Sequence, residues 1–587
     1  MTIFDVFALC GGLALFLYGM NVMGDGLERK AGGQLKDLLE RMTSNTFKGF
    51  LLGMGVTAVI QSSSATTVMV VGFVNSGVMT LRQAIGIIMG ANVGTTVTAW
   101  ILSLTGIQGD SFFMQILKPS NFSPVLALIG IILYMFTKKS SNKDTGSIML
   151  GFAVLMTGME AMSGAVAPLK TMPEFANLLL LFQNPIFGVL AGAVITGIIQ
   201  SSSASVGILQ ALSSTGAVTY GAAIPIIMGQ NIGTCATALI SSVGTNKNAR
   251  RTSLVHLYFN CLGTIICLGA YTIAYIFIKP AILNQAIDAA GIAVVHTAFN
   301  VITTTIMLPM AGLLEKLAYA TIKEDETSEP QQAFELSLLD ERLLATPTVA
   351  VEQSRQVANM MAEFSFDACR KALTLFDNFD QEVYDEVAEL ENRVDVLEDK
   401  MGTYLLALGR ESLSDSDQSQ VALLLHSIGD LERIGDHALG LAKTADELKS
   451  KNIVFSEPAQ NDIMNLRMAV SDIIGVTVNS FTQQDSRLAH RVEPLEQVVD
   501  LLRFRMKEGH IDRLQTGSCT QQTGFVFSDL ITNCQRIADH CSNLAVSLIR
   551  SEVYMYDAHE YLGNIKSGND AEYTSLFAEY KKKYGLN

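Results

Sequence analysis

Two copies of a polar motif lie inside apolar sequence. The string QSSSATT occupies residues 61–67, between the apolar stretches FLLGMGVTAVI and VMVVGFVN, and QSSSAS repeats it at residues 200–205. A serine hydroxyl and a glutamine amide both donate and accept hydrogen bonds. Such a cluster can donate to an oxyanion, and it can also offer its oxygens to a small cation such as Na⁺.

A second pair of motifs follows the first pair at a fixed distance. GANVGTT lies downstream of the first QSSS and GQNIGTC lies downstream of the second. The step from Gln61 to Asn92 is 31 residues, as is the step from Gln200 to Asn231, so one offset of 139 residues relates both pairs. Two motifs that repeat at one offset indicate an internal duplication.

Close helix packing is the alternative explanation of these motifs, because serine and glycine let membrane helices approach one another. Asn92 and Asn231 argue against packing alone, since an amide within lipid needs hydrogen-bonding partners. A cluster of hydroxyls and amides with almost no charge suits an anion that is accompanied by cations. Co-transported Na⁺ would then supply the positive charge that the protein lacks at this point.

The apolar flanks of QSSS are short. About 11 apolar residues precede the first copy and about 8 follow it before Asn75. At about 1.5 Å per residue, neither flank can cross a bilayer, which takes about 20 residues. This pattern predicts broken or re-entrant helical hairpins, whose backbone must be buried in protein or line a polar cavity. Two such breaks at matching positions point to a transport site.

Charge divides the chain into two halves. The 587 residues include 41 Lys and Arg and 56 Asp and Glu, of which residues 1–322 contain 16 and 11. The remainder therefore carries 25 basic and 45 acidic residues. An apolar, slightly basic half precedes an acidic, soluble half, and this acidic charge excludes nucleic acid as a partner.

Eight runs in the first half approach the length of a membrane span, and they predict an all-α, polytopic membrane protein. The first run has no basic leader and no clear cleavage site, which predicts a retained helix rather than a signal peptide. The runs are 4–22, 83–104, 122–137, 146–165, 176–196, 221–243, 252–277 and 291–312.

Two basic loops indicate the orientation of the chain. KKSSNK at residues 138–143 and NKNARR at residues 246–251 are both expected in the cytoplasm. The run after GQNIGTC ends at the second loop, whereas the run after GANVGTT needs one further span to reach the first. Corresponding runs then end on opposite sides, which predicts inverted repeats over about 5–137 and 146–312. The acidic half is then cytoplasmic, in agreement with eight cysteines that form no CxxC pair.

A further pair, HLYFN and HTAFN, places His256 with Asn260 and His296 with Asn300. Residues four apart share one face of a helix. In one interpretation these side chains line a pathway or relay protons. The preferred interpretation is that they form hydrogen bonds between helices.

The acidic half contains its own repeat. From about residue 346 the apolar residues follow a helical period. ENRVD at 391–395 matches EQVVD at 496–500, and ERIGDH at 432–437 matches QRIADH at 535–540. These offsets predict two three-helix bundles.

The spacing Glu-x-x-x-Asp puts two carboxylates on one face of a helix, and two such helices could bring four carboxylates to a divalent cation. A solvated acidic face with arginine pairing is the alternative. The candidate metal ligands are Glu391, Asp395, Glu432, Asp436, Glu496, Asp500 and Asp539.

The duplicated QSSS and GxN[VI]GT motifs resemble those of the sodium/phosphate cotransporter family, in its bacterial, type II-like form, over about residues 5–312. The resemblance implies inverted repeats with Na⁺ as the coupling ion. Cys235 departs from the pattern, because the first copy has Thr96 at that position. The implied substrate and Na⁺ site comprises Gln61, Ser62, Ser63, Ser64, Thr66, Asn92, Thr95, Gln200, Ser201, Ser202, Ser203, Asn231 and Thr234.

Residues 346–555 resemble PhoU, a helical phosphate-regulatory protein that can bind metal clusters, and LERIGDHA at 431–438 carries most of the match. Gln535 replaces the expected acidic residue in the second copy, which weakens a metal site there. The order of a transporter followed by a PhoU-like domain is similar to that of many bacterial members of the family.

The sequence therefore predicts a carrier of inorganic phosphate, coupled to Na⁺, in the bacterial inner membrane. The expected parts are a membrane domain at 1–318, a linker at 319–345, a cytoplasmic PhoU-like domain at 346–560 and a tail at 561–587. Partners are phosphate, Na⁺ and the bilayer, with a cytoplasmic regulatory protein or a second copy of the chain. Neither a P-loop nor a Ser/His/Asp arrangement is present, so an enzyme is not expected.

Two alternatives to this function remain open at the level of sequence. The first is a phosphate exporter, or a carrier of another anion. The second is a membrane-anchored phosphate-signalling subunit that transports nothing.

Overall fold

The structure is a computed structural model of the whole chain. It describes residues 2–40, 45–77, 79–106, 115, 118–172, 174–175, 181–182, 184–323, 335–411, 413–552 and 571–586. The chain folds into two compact units, and the described part of each unit is helical. The first comprises Met1–Pro330 with Asp340–Val349, and the second comprises Gln331–Leu339 with Ala350–Asn587.

The first unit contains thirteen α-helices within its described residues. They are α1 (Ile3–Glu40), α2 (Thr46–Ile60), α3 (Ser63–Asn75), α4 (Leu81–Gly94), α5 (Thr96–Ser103), α6 (Pro119–Phe136), α7 (Ser140–Val166), α8 (Pro185–Ile199), α9 (Ser202–Ser213), α10 (Tyr220–Ser241), α11 (Lys247–Ile273), α12 (Ala289–Met307) and α13 (Ala311–Thr321).

Seven helical stretches among the described residues are long and apolar enough to cross a membrane. The segments α2, α3 and α8 are apolar but too short, at 15, 13 and 15 residues. One predicted run, 176–196, is therefore not a spanning helix. Its described helical part is α8, and residues 176–180 and 183 lie outside the described part of the chain.

Matching glycines pack the two copies in the same way. An added Cβ at Gly53 would lie 2.1 Å from the carbonyl oxygen of Ile87, and one at Gly192 would lie 2.1 Å from that of Ile226. These contacts are 139 residues apart, like the motifs. Only glycine permits such close approach of α2 to α4 and of α8 to α10. Each copy is thus a tight hairpin of apolar helices.

The long helices α1 and α7 also cross through glycines. Gly12 lies against Gly158, and Gly19 lies against Gly151, so the two helices run antiparallel. A Cβ at Gly19 would lie 2.3 Å from the backbone nitrogen of Leu155. α1 precedes the first copy in the sequence and α7 precedes the second.

Residues 340–345 belong to the first unit, which is called the membrane unit below because it contains the seven apolar stretches. They do so although residues 331–339, which precede them, belong to the second unit. Asn75, at the end of α3, donates to Asp340 at 2.7 Å. Arg342 donates to the carbonyl oxygens of Ser241, the last residue of α10, and of Val243, just beyond it. Leu343 is fully buried and lies against Gly72 of α3. This short segment therefore caps the ends of two helices.

Where the structure describes it, the second unit contains two groups of three long helices with a small helix and a C-terminal helix. Ser365 donates to the carbonyl oxygen of Leu431 at 2.8 Å, which ties the first helix of one group to the third. The helices are α14 (Pro347–Thr374), whose first turn belongs to the membrane unit, α15 (Gln381–Leu408), α16 (Asp415–Ser450), α17 (Glu457–Gln483), α18 (Ser486–Ala489), α19 (Val492–Gln515), α20 (Gln521–Glu552) and α21 (Ala571–Lys583).

Candidate functional site

The first QSSS motif breaks a helix. α2 ends at Ile60. The next residue, Gln61, has a φ of 60° and a ψ of 19°, which lie in the left-handed region, and its N–H donates to the carbonyl oxygen of Thr57 at 2.8 Å. The Ser62 hydroxyl then accepts from the N–H of Ala65 at 3.1 Å and caps the start of α3. Positive φ is uncommon for a residue other than glycine. The sequence specifies a sharp break here without using a glycine.

The second motif repeats this geometry residue for residue. Gln200 has a φ of 58° and a ψ of 20°, and its N–H donates to the carbonyl oxygen of Thr196 at 2.7 Å. The hydroxyl of Ser201 caps α9 by accepting from Ala204 at 3.2 Å. The structure thus has the two helix breaks that the short apolar flanks predict.

Each break is braced by a pair of hydroxyls. Thr57 donates to the Thr66 hydroxyl at 3.0 Å, and Thr66 in turn donates to the carbonyl oxygen of Ser62. In the second copy Thr196 donates to Ser205 at 2.8 Å. Thr66 therefore holds the hairpin closed through its own hydroxyl.

The remaining serines surround the two helix starts. Ser63, Ser202 and Ser203 are buried, and Ser64 is half-buried. The first N–H groups of a helix lack partners within it, and the helix dipole adds partial positive charge there. Two helix starts lined by hydroxyls can therefore donate hydrogen bonds to an oxyanion.

The asparagines of the second motif are held alike in both copies. Asn92 Nδ2 donates to the carbonyl oxygen of Ile88, and Asn231 Nδ2 to that of Ile227, each at 2.9 Å. Because the amide nitrogen is tied to its own helix, Oδ1 points away from that carbonyl and is available as an acceptor. Both side chains are 4% exposed.

The threonine hydroxyls of this motif are also tied back. Thr95 and Thr234 each donate to the carbonyl oxygen four residues earlier, at 2.9 Å. Cys235 Sγ contacts the carbonyl oxygens of Asn231 and His256 at 3.5 Å. A thiol is a weaker donor than the Thr96 hydroxyl, which donates to Val93 at 2.7 Å.

The two copies interlock. α3 packs against α10 of the other copy, and α9 packs against α5. Gln210 of α9 donates to the carbonyl oxygens of Ala99 and Ala289, each at 3.0 Å. α3 thus contacts the helix that carries the other copy's GxN[VI]GT motif, and α9 contacts the helix that follows this motif in the first copy.

Sequence reasoning missed three residues of this arrangement, Thr98, Gln210 and Trp100. Thr98 donates to Gln61 Oε1 at 2.9 Å, and Trp100 Nε1 donates to the Thr297 hydroxyl at 3.0 Å. A glutamine in the apolar stretch SVGILQALSS was a visible signal for Gln210. A lone threonine in an apolar run carries no such signal.

The histidine–asparagine pairs are buried. Asn260 Nδ2 donates to the carbonyl oxygen of His256 at 3.1 Å and contacts Cys235 Sγ at 3.3 Å, which is a contact between helices. Asn300 donates to the carbonyl oxygen of His296 at 2.9 Å. Within the described part of the chain, neither ring nitrogen of His256 has a hydrogen-bonding partner. The preferred interpretation therefore fits Asn260 but not the His256 ring.

In the second unit, the carboxylates of α15 and α16 lie close enough to shift one another's pKa values. Burial, followed by the neighbouring charge of Asp436, raises the pKa of Glu391 and also that of Glu432. Asp395 adds to both effects. No group of three such side chains in the described residues has the geometry of a metal site. The concentrated negative charge nevertheless suits a divalent cation.

The corresponding carboxylates of α19 and α20 have other side chains as partners. Asp500 pairs with Arg503 at 3.3 Å and Asp539 pairs with Arg536 at 3.4 Å. Glu496 accepts from the side chain of Gln497 at 2.8 Å. An arginine thus lies within ion-pair distance of two of the three predicted ligands there.

Long apolar helices and two matching breaks, each lined by hydroxyls and amides, define a membrane transport protein built on a duplicated unit. The chain belongs to the Na⁺/Pi-cotransporter family, whose model matches residues 15–164 and 171–306. The PhoU domain matches residues 359–445 and 463–548. The expected transporter family and PhoU-like half are both confirmed, and the protein is a transport protein rather than an enzyme.

Curated relatives agree with this family. "Putative inorganic phosphate export protein YjbB" of Escherichia coli (strain K12) is 24% identical over 550 residues, which cover 92% of this chain and 97% of that protein. "Uncharacterized protein YqeW" of Bacillus subtilis (strain 168) is 30% identical over 311 residues, or 53% of this chain and 96% of that protein. "Sodium-dependent phosphate transport protein 2B" of Homo sapiens is 34% identical over 109 residues, which cover 18% of this chain and 16% of that protein.

Proposed function

We propose that the chain carries inorganic phosphate across the membrane together with Na⁺, by alternating access around the two helix breaks. The observation that carries this proposal is the pair of capped helix starts, at Ser62 and Ser201, in matching positions of a duplicated unit. Helix starts favour a bound oxyanion through their free N–H groups and their dipole. The names of the relatives support phosphate as that anion.

Neutral oxygens at the same place support Na⁺ as the coupling ion. Asn92 and Asn231 present their carbonyl oxygens, and the serines add hydroxyl oxygens. Broken helices in transporters coordinate Na⁺ with unwound backbone carbonyl oxygens, and the side-chain oxygens here are neutral in the same way. The proposed site comprises the thirteen residues given above, of which Thr66 acts mainly by bracing the hairpin.

We infer inverted repeats from the same structure. The helices α1 and α7 precede equivalent copies and run antiparallel, as a twofold axis within the membrane plane requires. The basic loops at 138–143 and 246–251 then face the cytoplasm. This orientation supports the bacterial inner membrane as the location, with the PhoU-like half in the cytoplasm as a regulatory domain.

Flux through proteoliposomes tests the proposal. The full chain should take up radiolabelled phosphate along an inward Na⁺ gradient, and uptake that is indifferent to Na⁺ would overturn the coupling. Ser63→Ala combined with Ser202→Ala should abolish uptake, because both helix starts lose a hydroxyl donor. Thr305→Val is the matched control, since Thr305 is exposed and bonds only within its own helix. Uptake by the double variant at the wild-type rate would assign QSSS to packing.

Export is a second candidate, favoured by the relative named for phosphate export, which aligns with 92% of this chain. Direction follows from the ion gradients rather than from the residues of the site. Flux measured with Na⁺ imposed from each side in turn separates the two. Efflux that persists where inward uptake fails would favour export.

A further inference from the structure

The two copies share their sequence motifs but differ in one hydrogen bond. In the first copy Thr98 is 1% exposed and donates to Gln61 Oε1 at 2.9 Å. The equivalent residue in the second copy, 139 positions on, is Thr237. Its hydroxyl is buried and has no hydrogen-bonding partner among the residues the structure describes. The equivalent of Gln61 is Gln200, which is exposed.

The helices that carry these threonines differ as well. In the first copy the helix is interrupted at Thr95, between α4 and α5, and the N–H of Thr98 donates to the carbonyl oxygen of Thr95, three residues back. In the second copy α10 is continuous from Tyr220 to Ser241. A bond to the third residue back tightens the turn to about 3.0 residues, instead of 3.6, and so redirects the side chains that follow. The tightened turn thus accompanies the contact of Thr98 with Gln61.

This contact determines whether the glutamine amide is free. Gln61 Nε2 donates to the carbonyl oxygen of Ala58, and its Oε1 accepts from Thr98, so protein groups engage both ends of the amide. The Gln200 amide makes neither contact within the described chain. One glutamine is therefore withdrawn into the protein while its counterpart is available to a ligand.

We propose that Thr98 and Thr237 are the positioning residues of the two glutamines, and that each holds its glutamine in a different one of the two transport conformations. This proposal rests on the alternating access proposed above. In the conformation described, the first copy is tightened and Gln61 is held. In the opposite conformation α10 tightens at Thr234, Thr237 holds Gln200, and the helix through Thr95 becomes continuous.

A buried hydroxyl without a partner is unfavourable, so the unbonded Thr237 hydroxyl raises the free energy of the second copy in this conformation. A conformation in which Thr237 donates to Gln200 would remove that cost. Because the repeats are equivalent, forming the contact in one copy and breaking it in the other leaves the number of such bonds unchanged. The two conformations can then be close in free energy, as a carrier requires. Cys235, with its weaker donor, stands where Thr96 supports the tightened turn of the first copy.

Cysteine labelling in full-length protein in proteoliposomes tests this proposal. Two reporters are used, Gln200→Cys and Gln61→Cys, and a water-soluble thiol reagent modifies them, with each site followed by mass spectrometry. Thr98→Val should slow modification of Cys at position 200, and Thr237→Val should slow modification at position 61. The labelling rate follows the population of the conformation that exposes the cysteine. Where that conformation is the less populated one, the valine substitution should lower the rate about fivefold, as expected for the loss of one neutral hydrogen bond.

Serine variants provide the control. Thr98→Ser and Thr237→Ser keep the hydroxyl and should label at the rate of their parent reporter, which a merely structural role of the methyl group would not preserve. The proposal is overturned if neither valine variant changes its reporter, if serine acts like valine, or if the position-200 reporter is unreactive from both sides. Phosphate flux is measured in the same vesicles. Absence of flux in the wild type would overturn the proposed function, whereas the labelling pattern answers the present proposal separately.

Discussion

Gln61 and Gln200 both hold a left-handed backbone conformation, which strains the chain at the two breaks. A side chain in this region costs about 1–2 kcal/mol relative to glycine. Glycine would form the same turn more readily. The use of glutamine in both copies agrees with the role proposed above for the two amides.

Gln200→Gly should raise the midpoint of thermal unfolding relative to Gln200→Ala, because both variants lose the amide but only glycine relieves the positive φ. The expected difference is about 1 kcal/mol in the free energy of unfolding. Fluorescence-detected melting of the purified protein measures it. Relative to the wild type, Gln61→Gly should gain less stability than Gln200→Gly, since only the Gln61 side chain is bonded to Thr98. Equal melting of the glycine and alanine variants at position 200 would contradict the strain argument.

At the scale of helices, glycines decide how closely the elements pack. Gly19 meets the backbone of α7, where an added Cβ would lie 2.3 Å from Leu155, whereas Gly11 on the same helix has no atom within 4 Å of such a Cβ. Both positions are glycines of α1, but only Gly19 lies against another helix. They form a matched pair for testing the crossing of α1 with α7.

Gly19→Ala should destabilise the membrane unit by about 1–3 kcal/mol, because backbone atoms cannot move aside as a side chain can. Gly11→Ala should be neutral or slightly stabilising, since alanine favours helix. Melting temperatures in detergent compare the two variants. Similar melting of both would show that the helices do not cross as the structure has them.

The two carboxylate groups of the PhoU-like half offer a second matched pair. Glu391, Glu432 and Asp436 concentrate negative charge, while Asp539 is paired with Arg536. Added Mg²⁺ or Mn²⁺ should raise the melting temperature of the full chain, and a chelator should reverse the rise. Asp436→Asn should remove this response and Asp539→Asn should leave it. A response lost in both variants, or in neither, would contradict a site confined to the first copy.

How far sequence predicts these elements depends on which physical signal each one leaves. The breaks at Gln61 and Gln200 were predictable, because polar residues interrupt apolar runs too short to span. The prediction that residues 176–196 span the membrane was wrong, since hydropathy cannot distinguish a spanning helix from one half of a broken hairpin. Thr98 left no signal, because its role comes from a tightened turn in a different helix. The carboxylate pattern located both acidic groups but could not show that arginines occupy the second.

At the scale of the whole chain, residues 340–345 assign part of the expected linker to the membrane unit. Arg342 satisfies two carbonyl oxygens at the C-terminal end of α10, and Asp340 accepts from Asn75. A cation near the C-terminal end of a helix also interacts favourably with the helix dipole. The covalent path from the membrane unit to the PhoU-like half thus passes through a docked segment, and α14 begins two residues after it.

Arg342→Ala should lower the stability of the membrane unit by about 2 kcal/mol, since charged hydrogen bonds to backbone carbonyls are lost. Arg82→Ala, which alters an exposed arginine, should change it by less than about 0.5 kcal/mol.

A second test of residues 340–345 compares two shortened chains. A chain ended after Val349 should melt at a higher temperature than one ended after Pro330. Indistinguishable melting of the two would show that residues 340–345 add nothing to the stability of the membrane unit.

The chain has a single tryptophan, and it lies in the helix that is interrupted in one copy and continuous in the other. Trp100 lies two residues beyond Thr98, is partly exposed and is bonded to Thr297 of α12. The native protein therefore carries its own optical probe, with no competing indole elsewhere. Its emission spectrum in unlabelled protein should follow the polarity around α5 in real time as ions are added.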